Sequence, residues 1–224
     1  MRASVIDRSS LGALAAIALA LGGAGCGSAR LPLQEASRAF TPADYGGVYD
    51  RWTRAADDFH FGRLAEVLHV TATFESWEFR WAYVARYAAE HSFTTEERLR
   101  LLEESLADSR DRHRFFVTLA GPIWREGDLT GAQSDWRVLL VDSTGRQVEP
   151  VELTRIARPS ADQRTYFPSV NRQRHTYRIA FPVHLPDGTP AISDGADSVT
   201  LRFAGANGLV DLVWPLEHAP AAPP

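Results

Sequence analysis

The chain has 224 residues, 45% of them apolar and 23% charged, with a formal net charge of −4. That length and composition suit one globular domain, or at most two small ones, and exclude wholesale disorder, collagen-like repeats and a polytopic membrane protein; the mild acidity also argues against nucleic acid as a partner, which calls for a basic face. All 24 basic residues are arginine, the only cysteine is Cys26 and the only methionine is Met1, which rules out phosphate-loop and Schiff-base lysines, cysteine nucleophiles, disulfides within the folded part and thiolate metal sites.

Arg2 and Arg8 flank a short polar start, and the apolar run Leu11–Leu21 then closes on Gly22-Gly23-Ala24-Gly25. A basic start, a short apolar stretch and a small-residue exit make a secretory signal peptide of Met1–Gly25, and the run is too short to span a bilayer as a helix. The segment Leu21–Cys26 resembles the lipobox of bacterial lipoproteins, in which a cysteine after small residues is lipidated and becomes the new N-terminus. Gly23 stands where leucine is commonest in that pattern, with Leu21 two residues upstream. The resemblance covers the first 26 residues only. It implies lipid (palmitate) attachment at Cys26, a membrane partner through that anchor and, from Gly27 after the cysteine, retention at the outer membrane. Ordinary signal-peptidase cleavage after Ala24 or Ala29 is the alternative. Loss of Met1–Gly25 removes Arg2, Asp7 and Arg8, leaving 199 residues and a net charge of −5.

The mature chain divides into a lipid-anchored tether over 26–45, a single globular domain over 46–218 and a disordered tail over 219–224. After Gly46-Gly47 the residues Val48, Trp52, Ala55, Ala56 and Phe59 recur at helical spacing, predicting an N-terminal helix. Strict alternation follows over about 64–74, with Leu68, Val70, Ala72 and Phe74 on one side and Val67, His69, Thr71 and Thr73 on the other, as in a half-buried strand. Ser76 is placed to cap a helix from Trp77 to about His91, and Thr94-Thr-Glu-Glu97 is a capping box opening a second. Together they predict a helical hairpin over about 76–112. Short strands then run through 113–216, at Phe115–Ala120, Trp136–Asp142, Val148–Ala157, His175–Val183, Ser198–Ala204 and Leu209–Trp214, with turn residues between them. The pattern predicts a mainly β fold with α: an antiparallel β-sandwich of immunoglobulin-like architecture, carrying the hairpin as an insertion after its first strand.

Motifs with specific mechanics are absent: there is no HExxH, GxSxG, EF-hand loop or GxGxxG. The densest basic stretch is Arg172, Arg174 and Arg178 with Arg164 upstream, interleaved with Tyr166, Phe167, His175 and Tyr177. Guanidinium beside aromatic rings suits a phosphate or carboxylate of an envelope component. His113 and His175 end core-facing rows and are weak candidates for a metal or acid–base pair at one end of the sandwich. Glu75 and Glu78 offer paired carboxylates, or simply first-turn acids facing a helix dipole. Asp187, Asp194 and Asp197 are read as turn residues rather than calcium ligands. The aromatic stripe around Trp77 and Trp81 is either core or one wall of a lipid groove between hairpin and sheet. The leading expectation is a non-enzymatic envelope lipoprotein that binds a protein or envelope component and needs no cofactor. An envelope hydrolase using histidine and carboxylate chemistry and a lipid carrier are the alternatives.

Overall fold

The computed structural model describes residues 30–36, 38–60, 65–121, 124, 128–130, 134–206 and 208–217, with backbone alone at 57–60 and 65–67. The signal segment, Cys26 and the tail over 219–224 lie outside these residues. Among the described residues, helices α1 (Tyr45–Trp52), α2 (Trp77–Glu90), α3 (Thr95–Asp111) and α4 (Ala161–Tyr166) are set among nine strands: β1 (Thr53–His60), β2 (Ala65–Phe74), β3 (Arg112–Ala120), β4 (Trp136–Asp142), β5 (Gln147–Val148), β6 (Glu152–Arg155), β7 (His175–Pro182), β8 (Ser198–Gly205) and β9 (Gly208–Pro215). The strands form two antiparallel sheets, a five-stranded one in the order β1-β2-β3-β7-β6 and a four-stranded one in the order β5-β4-β8-β9. Among the described residues no helix is long and apolar enough to cross a membrane.

Alternation decides which face each sheet buries. Val199, Leu201 and Phe203 of β8 and Val210, Leu212 and Trp214 of β9 are buried in every second position. Across from them, Phe74 and Phe115 of the larger sheet stack at 4.6 Å between ring centroids, and Phe115 lies 5.3 Å from the Trp214 ring. The Trp214 indole N–H donates to the Trp52 carbonyl at 2.9 Å, tying α1 to this core. The outer face of the larger sheet is also covered. Thr73, Phe116, Thr118 and Thr176 are buried there, and Phe116 stacks on Phe167, just past α4, at 3.8 Å.

The hairpin forms where its caps place it: Ser76 Oγ accepts from the Phe79 amide, and Thr94 and Glu97 complete the reciprocal box. Three expectations change. The N-terminal helix does not run through Phe59 but ends at Trp52, because Thr53–Ala56 pair with Val70–Thr73 as a strand, so the hairpin follows the second strand and not the first. The strand expected over 148–157 is two strands in different sheets, β5 beside β4 and β6 beside β7, with Pro150 at the crossing where its missing N–H breaks the ladder. The tether is docked from Leu31 onward. Leu31 is fully buried, its N–H donates to the Pro215 carbonyl and its carbonyl accepts from the Glu217 N–H, each at 2.9 Å. Phe40 is likewise buried against Trp77 and Trp81.

Candidate functional site

The end of β6, the capped start of α4 and the approach to β7 come together around one cleft of about 580 Å³. The Ile156 N–H donates to the Thr176 carbonyl at 2.8 Å, fixing the loop after β6 to the first residues of β7. Ser160 accepts from the Gln163 amide and Gln163 returns a bond to the Ser160 N–H, which starts α4 directly after Pro159. This framework brings Arg155, Arg164, Arg172, Arg174, His175 and Thr176 to the cleft wall, with Trp124 half exposed at its rim. No carboxylate lines the cleft among the described residues.

The four guanidiniums are held in different ways. Arg155 pairs with Asp128 at 3.2 Å, Arg174 donates to the Thr71 hydroxyl at 2.9 Å and Arg164 donates to the Pro159 carbonyl at 2.5 Å. Arg172 is exposed and has no partner among the described residues. The His175 ring packs 3.7 Å from the Trp124 ring and places Nε2 2.7 Å from the Trp124 carbonyl. A carbonyl only accepts, so Nε2 carries the proton and Nδ1 is an acceptor. Burial, only partly opposed by that hydrogen bond, lowers the His175 pKa and favours the neutral ring. His175 Nδ1 and Thr176 Oγ1 are both buried with no hydrogen-bond partner. Unpaired buried polar atoms are costly, and here they sit in a cleft whose charged lining groups are all positive among the described residues. The chemistry it offers is forked N–H donation, with a hydroxyl beside it, to a phosphate or carboxylate.

Arg164, Arg172 and Arg174 are thus brought together, whereas Arg178 is not. It lies on the outer sheet face 3.5 Å from Glu75, in a different cleft. His113 and His175 do not meet either. Antiparallel register sets His113 opposite Phe181 and His175 opposite Leu119, which separates them by six strand positions, roughly 20 Å. Among the described residues no cluster of metal-ligating side chains occurs. Glu75 and Glu78 point to separate partners: Glu78 is buried against Arg38, Arg51 and the Trp52 indole N–H, while Glu75 faces Arg178 and Arg80. Asp187 bonds Thr189 in a tight turn, and the Asp197 N–H donates to the Ser143 hydroxyl. Trp77 donates to the Pro32 carbonyl, so its side of α2 is covered by the N-terminal segment. Sequence reasoning missed Arg155, Thr176 and Trp124. Arg155 hid inside an expected continuous strand, and α4 had only the Ser160–Gln163 capping pattern to announce it.

No protein-family model, curated protein or solved structure matches the chain.

Proposed function

We propose that the protein is a non-enzymatic envelope lipoprotein, anchored through lipid on Cys26, whose sandwich of immunoglobulin-like type binds an anionic component of the outer membrane in the arginine cleft. The observation that carries the binding step is the cleft's charge. Four guanidiniums converge with no carboxylate among the described lining residues, beside a buried and unpartnered threonine hydroxyl. An acid–base enzyme is less well supported, because the two histidines lie far apart on antiparallel strands and one nitrogen of His175 is already bound to a carbonyl. The anchoring rests on the export signal and the lipobox resemblance.

Arg172 is the informative residue to change, since its side chain holds nothing else in place among the described residues. Lipopolysaccharide, a phosphate-bearing envelope component, is titrated into the soluble chain from Gly27 onward. Arg172→Ala is expected to weaken binding about tenfold, the equivalent of roughly 1.4 kcal/mol and in the range of one charge-assisted hydrogen bond. Equal affinity for both proteins, or no binding by the wild type, would remove the binding proposal. Anchoring is read separately by palmitate labelling, expected on the wild type and lost in Cys26→Ala.

A further inference from the structure

A second cleft, of about 660 Å³, opens between the α2–α3 hairpin and the outer face of the five-stranded sheet. The segment around α4 contributes to both clefts, Pro159 and Arg164 to the first and Ser160, Asp162 and Gln163 to the second. Their charges differ in kind. The second cleft sets three guanidiniums, Arg80, Arg114 and Arg178, against four carboxylates, Glu75, Asp108, Glu152 and Asp162. It attracts neither a polyanion nor a cation strongly.

Most of these groups are already occupied by one another. Arg80 donates to the Glu75 and Ser105 carbonyls at 2.8 Å and to Asp108 at 2.7 Å, and Arg114 donates to Asp108 at 2.7 and 2.9 Å and to Glu152 at 3.0 Å. Asp162 is partly exposed and lies 3.6 Å from the His91 ring, outside this set, which leaves Glu75 and Arg178 as a loosely held pair. The Glu75 side chain is 9% exposed, yet its nearest guanidinium nitrogens are 3.5 Å away on Arg178 and 4.0 Å away on Arg80. The Arg178 side chain is 40% exposed, while its Nε is buried without a partner. A buried carboxylate without close donors is expensive, so this loose pair presents an acceptor and a donor side by side to whatever fills the cleft.

The wall above it is aromatic. Phe79, Tyr83 and Tyr87 recur every fourth residue on α2, with successive ring planes inclined by 28° and 18°, and Tyr83 and Tyr87 are partly exposed. A ligand that suits this combination has an apolar face for the rings, hydroxyls that donate to a carboxylate and accept from a guanidinium, and no net charge. An acyl chain would leave Glu75 and Arg178 desolvated and unpaired, and an anion would find better partners in the arginine cleft. We propose that this cleft binds a neutral saccharide, with a pyranose ring against Tyr83 and Tyr87 and its hydroxyls bridging Glu75 and Arg178. The volume lies within the roughly 300–1,000 Å³ of small-ligand sites. This assignment does not depend on the anion reading.

The test uses three neutral trisaccharides as probes, maltotriose, cellotriose and the N-acetylglucosamine trimer. Each is added to about 10 mM to the isotopically labelled soluble chain while amide NMR signals are followed. At least one should shift the signals of Tyr83, Tyr87 and Arg178, and its affinity should fall about tenfold or more in both Glu75→Gln and Tyr87→Ala, in line with losing about 1.4 kcal/mol. Arg172→Ala should bind it as the wild type does. No shift with any of the three overturns the proposal, as do unchanged affinity in Tyr87→Ala and shifts confined to the arginine cleft. Tyr87 sits at the rim, so its variant remains decisive should Glu75→Gln fail to fold.

Discussion

His113 holds its ring edge-on to Phe74, 5.8 Å between centroids, at the half-buried start of β3. Burial, with His184 nearby as a lesser repulsion, lowers its pKa from the usual 6.5 to about 4. Because the folded value lies below the unfolded one, the unfolded chain binds the extra proton first. The contribution to stability is therefore complete above about pH 6.5 and is lost as the pH falls toward 4, up to about 3 kcal/mol. Carboxylates act lower: hydrogen bonds from Ser193, Thr144 and Arg146 outweigh burial and hold Asp142 at about 2, so its loss comes below pH 4. Denaturant unfolding of the wild type between pH 7 and 4.5 should show stability falling as acid is added. In His113→Gln that slope should be markedly shallower, and identical slopes would show that the ring is protonated equally in both states. The sequence placed His113 correctly on a core-facing row, but neither its depth nor its distance from His175 was legible. Both depend on strand register, which is a pairing between distant segments.

At the scale of elements, the hairpin was legible because its signals are local: Ser76, and the Thr94–Glu97 box, act within one turn. The end of α1 was not, since the apolar spacing continues past Trp52 while long-range pairing with β2 captures Thr53 onward. The arginine cleft was half legible in the same way. Arg164, Arg172 and Arg174 are close in sequence, whereas Arg155 reaches them only through the pairing of β6 with β7. Two glycine sites test how backbone freedom is used. Gly46 and Gly47 lie within α1, have helical neighbours and would place a new Cβ in open space, so each change to alanine should raise stability by about 0.5–1 kcal/mol. Gly205, at the end of β8, has no such room: a Cβ there would lie 2.3 Å from the Asp135 carbonyl oxygen. Gly205→Ala should lower the thermal midpoint while Gly46→Ala and Gly47→Ala raise it, and a rise in all three would refute the packing around Gly205.

Across the whole molecule, the two ends of the described chain close on each other. Leu31 forms a parallel bridge to Leu216, so the last strand's exit is held by the segment that leads into the domain. Truncating a fully buried leucine removes both transfer energy and packing, and Leu31→Ala should cost about 3 kcal/mol in equilibrium unfolding. A loss below about 0.5 kcal/mol, typical of an exposed site, would mean that the segment is not docked. This closure also limits geometry. Between the proposed anchor at Cys26 and Leu31 the covalent chain extends at most about 18 Å, close to the radius of gyration of about 16 Å expected for a domain of this size. A leash that short would leave the domain little freedom to roll or to lift away. The protein would then stand at a fixed height with the Leu31 side toward the bilayer, and its ligands would have to come to the membrane surface to be met.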